Sequence, residues 1–343
     1  LLEEKTYMNK RSLLVLALVV VMLAVTACAA APSASEETFK AGMVTDMGGI
    51  DDASFNATSW KGMEMARDEL GIEVQYLESQ QQTDYAANIT QFLDQDYNII
   101  VTVGFLMGDD TETFAKDNPD TDFAIVDYAY ETTYDNLLGL TFATDQAAFL
   151  AGYAAAAMTQ TGKVGTFGGI EIPTVTIFMV GFEGGVNYYN EQHGTNVEVL
   201  GMDLFVGNFE STDDGRRAGE DLIAEGADII MPVAGPVGLG TAAAVQENPG
   251  TMLVGVDTDW CVSAADFCPV VLTSVLKNMD MAVYDAVAAE YNGEFKGGVY
   301  VGTLENDGVG LAPFHEFESS LPAGLTDELE EVKAGLIDGS IPT

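Results

Sequence analysis

The stretch Ala41-Gly42-Met43-Val44-Thr45-Asp46-Met47-Gly48-Gly49-Ile50-Asp51-Asp52-Ala53-Ser54-Phe55-Asn56 sets how the rest of the chain is read. A short apolar run stops at an aspartate and a glycine-rich turn. Trp60, Met63, Ala66 and Leu70 then follow at helical spacing. Strand, polar turn and helix make the repeating unit of an α/β sheet, and the unit recurs downstream. Apolar runs at 41–45, 72–76, 99–103, 123–126, 137–142, 164–167, 197–205, 229–233, 253–256 and 271–275 read as strands. Helix-like stretches lie between them at 86–93, 147–158, 175–190, 215–224, 239–246 and 281–291. Such alternation predicts parallel sheets with right-handed crossovers. About ten strands at this spacing exceed one doubly wound lobe, and 343 residues suit two domains. Two α/β lobes are expected.

Several strands stop at a polar or glycine-rich turn: Val44-Thr45-Asp46, Val126-Asp127, Val233-Ala234-Gly235 and Val256-Asp257-Thr258-Asp259. Ligands of open α/β sheets bind outside the carboxyl ends of the strands. One such aspartate is readily a helix cap. Several at corresponding places in two lobes point to one cleft.

Composition narrows the function classes. The 54 acidic residues against 13 Lys+Arg give a formal charge of −41. Nucleic-acid binding needs clustered basic residues, so it is excluded as a class. Anionic lipid surfaces are disfavoured likewise. Nucleophilic catalysis fits poorly: no Gly-x-Ser-x-Gly elbow is present, and Gly235-Pro236-Val237-Gly238-Leu239-Gly240 lacks the Lys-Ser/Thr ending of a P-loop. The two histidines, His193 and His315, lie outside the strand-end turns, and His193 reads as a solvated surface residue near a helix end. Neither a catalytic residue nor a metal ligand nor a cofactor is assigned.

At the N-terminus Lys10 and Arg11 precede 15 uncharged residues, Leu13 to Ala27. The run is shorter than the roughly 20 residues of a spanning helix and suits an export signal beginning at Met8. Val25-Thr26-Ala27-Cys28 resembles a bacterial lipobox, which makes Cys28 the expected lipidation site and 8–28 the signal peptide. Small and polar residues through 29–38 read as a flexible tether. Export places Cys261 and Cys268 in an oxidising compartment, where a disulfide bracing the loop after Asp259 is open to them. Two cysteines seven apart are wrong in number and spacing for a zinc site.

Motifs spread along the mature chain resemble the basic membrane protein family of ABC-transporter substrate-binding lipoproteins, of the purine nucleoside receptor type. They are Asp46-x-Gly-Gly-Ile-Asp51-Asp52-x-Ser54-Phe55-Asn56, Asp145-Gln146-Ala147-Ala148-Phe149-Leu150-Ala151-Gly152, Gly168-Gly169-Ile170-x-Ile172-Pro173, Gly181-Phe182-x-x-Gly185-Val186, Val206-Gly207-Asn208-Phe209 and Val256-Asp257-Thr258-Asp259, followed by Thr273-Ser274-Val275-Leu276-Lys277-Asn278. The resemblance implies a type I periplasmic-binding-protein fold, two Rossmann-like lobes joined by three crossing segments. The lobes would comprise 39–144 plus 278–303 and 145–277 plus 304–343.

It also implies a site. Phe55 and Phe209 would sandwich a base. Asp46, Asp52, Asn56 and Asp127 would approach from the N-terminal lobe, and Gly235 would offer backbone. Asp257 or Asp259 would accept from ribose hydroxyls, and Lys277 would supply a donor and offset the carboxylates. Asp52 stands where the family often carries Asn. The implied protein is a monomer, lipid-anchored on the extracytoplasmic face of the cell membrane, that binds a small-molecule nucleoside, delivers it to an ABC permease and catalyses nothing. The alternatives are another nucleoside-like or sugar-like ligand and, in a different class, a calcium-dependent nucleoside hydrolase. The loop of such hydrolases resembles Asp46–Asp52, with its first aspartate and proline missing here.

Overall fold

The computed structural model describes residues 38–343. The proposed signal peptide, Cys28 and the tether up to residue 37 lie outside the described residues. Among the described residues no helix is long and apolar enough to cross a membrane.

Two six-stranded sheets share one plan. The first is built from β1 (Lys40–Met47), β2 (Glu73–Ser79), β3 (Ile99–Val103), β4 (Asp122–Val126), β5 (Leu137–Phe142) and β11 (Gly298–Gly302). The second contains β6 (Lys163–Gly168), β7 (Glu198–Leu200), β8 (Ile229–Val233), β9 (Met252–Asp257), β10 (Val271–Lys277) and β12 (Val309–Leu311). Their orders, β11-β5-β4-β3-β1-β2 and β12-β10-β9-β8-β6-β7, superimpose strand for strand. Both sheets are parallel except that β12 runs antiparallel to β10, while its counterpart β11 runs parallel to β5. β3 and β8 are buried at every residue, as expected of continuous apolar runs covered on both faces. β2 is an edge strand and is mostly exposed or half-buried.

The sheets are covered by α1 (Phe55–Leu70), α2 (Tyr85–Leu93), α3 (Gly108–Asp117), α4 (Thr144–Met158), α5 (Pro173–His193), α6 (Thr212–Ala224), α7 (Val237–Glu247), α8 (Met279–Tyr291) and α9 (Leu325–Asp338). The lobes exchange helices. α4 leaves β5 of the first sheet and packs on α5, and α8 leaves β10 of the second and packs on α1. Both contacts are made backbone to side-chain-free backbone. A Cβ on Gly152 would sit 2.0 Å from the Phe182 carbonyl oxygen, and one on Gly62 would sit 2.3 Å from that of Asp280. α4 is buried almost all round, and its Ala-rich sequence lets it fit there. One apolar core therefore runs from Ala41, Val101 and Ala124 through Phe142 and Met279 to Val164, Met231 and Val254.

Three segments cross between the sheets: β5 to α4, β10 to α8, and 303–308. The third is laced to the other two. Ala143 N donates to Gly302 O at 2.8 Å, and Asn278 N donates to Gly308 O at 3.0 Å.

Some local expectations are corrected. The strand expected over 197–205 ends at Leu200, because Gly201 turns at φ 80° with Thr166 O where a side chain would stand. Beyond it only Phe205 bridges to Gly168. Helices α3 and α9 and strands β11 and β12 were not expected. α3 and α9 are rich in acidic residues along their outer faces, and the two strands are only five and three residues long.

Candidate functional site

The carboxyl ends of β1, β3, β4, β8, β9 and β10 converge on a cleft with about 660 Å³ not filled by protein atoms, mouth included. It is lined by Asp46, Asp52, Phe55, Asn56, Asp127, Phe209, Gly235, Asp257 and Lys277, nine of the ten residues expected to bind ligand.

The N-terminal wall is built around Asp52. Its Oδ1 accepts from the amides of Ser54 at 3.0 Å and Ala57 at 2.9 Å. Its Oδ2 accepts from the Asn56 amide at 2.7 Å and from Asn56 Nδ2 at 3.2 Å. The carboxylate thus caps the first turn of α1, whose amides would otherwise lack partners. Burial pushes its pKa up, and these donors oppose the shift. All four donors are spoken for within the protein, so Asp52 positions its neighbours. Phe55 opens α1, and Asn56 Nδ2 also donates to Asp46 Oδ1 at 2.8 Å. Asn56 Oδ1 is buried with no partner, an acceptor waiting for a donor. Asp46 is pushed up to about 8 by burial first, and further by Asp52, Asp127 and Asp257; only the Asn56 bond opposes. Near neutral pH it is largely protonated and able to donate.

Asp127 and Asp257 are counterparts. They follow or end the equivalent strands β4 and β9, with φ 70° and 69°, a left-handed conformation that aspartate tolerates better than most residues. Each carboxylate has one partner. Lys277 Nζ donates to Asp127 Oδ2 at 2.5 Å, and Ser54 Oγ donates to Asp257 Oδ2 at 2.6 Å, from one lobe to the other. Burial raises both pKa values, and Lys277 opposes the shift in each. The Lys277 side chain is 2% exposed, with Nζ 4.9 Å from the centroid of Phe55, 5.3 Å from Phe142 and 5.8 Å from Phe178. Three ring faces and a carboxylate thus hold the ammonium.

Apart from Asp257 and Lys277, the C-terminal wall is apolar. Phe209 sits on the loop before α6, its ring so close to Gly169 that a Cβ there would lie 2.3 Å from it. Asn208 folds that loop by accepting from the amides of Glu210 and Ser211. Phe105, Ile172, Thr174, Val175 and Phe178 also line the cleft and were not expected. Phe105 follows Val103-Gly104 at a strand end, the signal that found Gly235. The others lie at the start of α5 and read as ordinary core residues.

Asp259 is a correction. It does not line the cleft. Its Oδ1 caps the one-turn helix Trp260–Ser263 by accepting from Cys261 N at 3.0 Å, and its Oδ2 lies 2.8 Å from His315 Nε2. Two residues past the strand end, the chain has already turned away from the cleft. Cys261 and Cys268 are joined by a disulfide. His193 is exposed, as expected of a surface residue, yet it has partners. It stacks on Tyr189 at 4.2 Å and lies 3.0 Å from Tyr153 Oη and 3.2 Å from Glu328 Oε2.

The cleft therefore offers aromatic faces from both lobes, several oxygen acceptors and one caged cation. It suits a ligand with a flat apolar part and a polar part rich in N–H or O–H donors.

Residues 39–337 match the family described as PnrA-like ABC transporter substrate-binding proteins, Bmp. A CD4+ T-cell-stimulating antigen of Listeria monocytogenes is 31% identical over 90% of this chain and 88% of that protein. The ABC transporter nucleoside-binding protein BmpA of Lactococcus lactis is 28% identical over 97% and 99%. Among solved structures, an ABC transporter solute-binding protein from Aeropyrum pernix K1 matches with a TM-score of 0.79 and 28% identity, covering 88% of this chain and 92% of that one.

Proposed function

This chain belongs to the PnrA-like family of ABC transporter substrate-binding proteins, and from that premise we propose that it binds a purine nucleoside in the interlobe cleft and releases it unchanged to a permease. The observation that carries the reading is that Phe55 and Phe209, one from each lobe, line the same cleft as the carboxylates Asp127 and Asp257. Stacking on aromatic rings tolerates any base, and carboxylates suit the hydroxyls of ribose. The name of the Lactococcus lactis relative as nucleoside-binding agrees with this. Asn56 Oδ1, buried and unpartnered, would accept from a base N–H. With Asp259 turned away, Asp257 is the carboxylate left for the ribose.

The hydrolase alternative is disfavoured by the donors around Asp52. Calcium needs six to eight oxygen ligands, and here this carboxylate is filled by N–H groups. We also assign 39–144 with 278–303 to one lobe and 145–277 with 304–343 to the other. Cys28 is assigned as the lipidated anchor, on the extracytoplasmic face, of a protein acting as a monomer. Calorimetry with inosine, followed by an assay for free ribose, tests the function. Saturable binding with no ribose released is expected. Ribose release would make the protein an enzyme, and absence of binding to any purine nucleoside would remove the ligand class. Replacing Cys28 with Ser and fractionating cells tests the anchor; an unchanged membrane fraction would remove it.

A further inference from the structure

Asp259, Cys261 and His315 are left over by the cleft, yet they come together. One ligand atom from each lies within 4.8 Å of the others. Cys268 Sγ is bonded to Cys261 Sγ, so a fourth donor lies one bond from this group, outside it while the disulfide holds. Two cysteines alone cannot make a tetrahedral site, but two thiolates, an imidazole and a carboxylate can. The missing donors come from an adjacent turn and from a segment 56 residues further along the chain than Asp259.

We propose that reduction of the Cys261–Cys268 disulfide opens a site for a soft divalent cation such as zinc, held by both sulfurs with Asp259 and His315. A dithiol supplies two electrons and two protons. It becomes a disulfide itself, and Cys261 and Cys268 become thiols. The cation then displaces the two thiol protons. With metal–sulfur bonds near 2.3 Å, the two sulfurs of a tetrahedral site lie about 3.8 Å apart, close to the separation of sulfurs in simple contact. Opening the disulfide therefore moves them toward the required spacing. Asp259 is fixed by β9 and by its bond to Cys261 N, and His315 already points its Nε2 at Asp259. Both cysteines are half-buried and His315 is exposed, so reductant and cation have access.

Cobalt titration of the full chain carrying Cys28→Ser tests this, with and without a phosphine reductant. The reduced protein is expected to take one cobalt per chain, with tetrahedral and thiolate charge-transfer bands, and the oxidised protein none. His315→Ala and Asp259→Asn are each expected to weaken the reduced site at least tenfold. Equal cobalt binding by oxidised and reduced chains would overturn the proposal. So would reduced binding that ignores both substitutions, which is the behaviour of thiols on an unfolded loop.

Discussion

The two lobes repeat one strand order and even one unusual backbone conformation, at Asp127 and Asp257, yet their walls of the cleft differ in kind. From the end of β1 the chain runs through Asp46 and Asp52, and a carboxylate caps α1. From the end of β6, the counterpart, it runs through Gly168, Gly169 and Ile172, and α5 begins on Pro173, which has no amide to cap. The same topological problem, starting a helix at the cleft, is solved by charge in one lobe and by proline in the other. The result is a wall bearing Asp46, Asp52 and Asp127 facing one that is apolar but for Asp257 and Lys277. Lys277, supplied by the apolar side, reaches across to Asp127 on the acidic side. Fold sets where a ligand lies, and the turn chemistry sets what it meets.

The strongest test of this asymmetry is Lys277→Met. It leaves Asp127 buried without its partner and is expected to cost about 3–5 kcal/mol in chemical denaturation. Adding Asp127→Asn should restore much of the loss; if the double variant is no more stable, the two walls do not depend on each other. Next comes Asp46→Asn. The folded pKa of Asp46 lies above its unfolded value, so the stability from its neutral form is complete below about pH 4 and is lost as pH rises through about 8. Melting temperatures between pH 5 and pH 8 should fall less in this variant than in the parent; equal slopes would contradict the shift. Phe55→Ala and Phe209→Ala compare the lobes directly. Each is expected to weaken inosine by about 1–3 kcal/mol and free ribose hardly at all, by calorimetry. If only one matters, the base rests on one face. Smallest is Ser54→Ala, which removes the interlobe bond to Asp257 and should lower stability by about 1 kcal/mol. A larger loss would mean that this single bond dominates lobe contact.

Strand ends were legible because their signal is local: an apolar run halted by aspartate or glycine. That rule found Asp46, Asp127, Gly235 and Asp257. It failed at Asp259, which has the same local look, because the short helix starting at Trp260 needs a cap and its partner His315 lies far along the chain. Phe178 and Val175 were illegible for the opposite reason. Their spacing on α5 is that of core residues, and only the crossing of α4 into the second lobe decides which face of α5 meets the cleft. The partnership of Ser54 with Asp257, 203 positions apart, has no local trace at all.

The three crossing segments are not separate threads. Hydrogen bonds from Ala143 to Gly302 and from Asn278 to Gly308 stitch them side by side into a narrow band. A band of this kind is what an engineer would call a leaf flexure, stiff against twist and shear and compliant in one bend. Its mechanics would give the molecule a single soft coordinate, the angle between the lobes. Lys277, which lines the cleft at the root of one leaf and rests on Phe142 at the root of another, would let whatever fills the cleft load that coordinate.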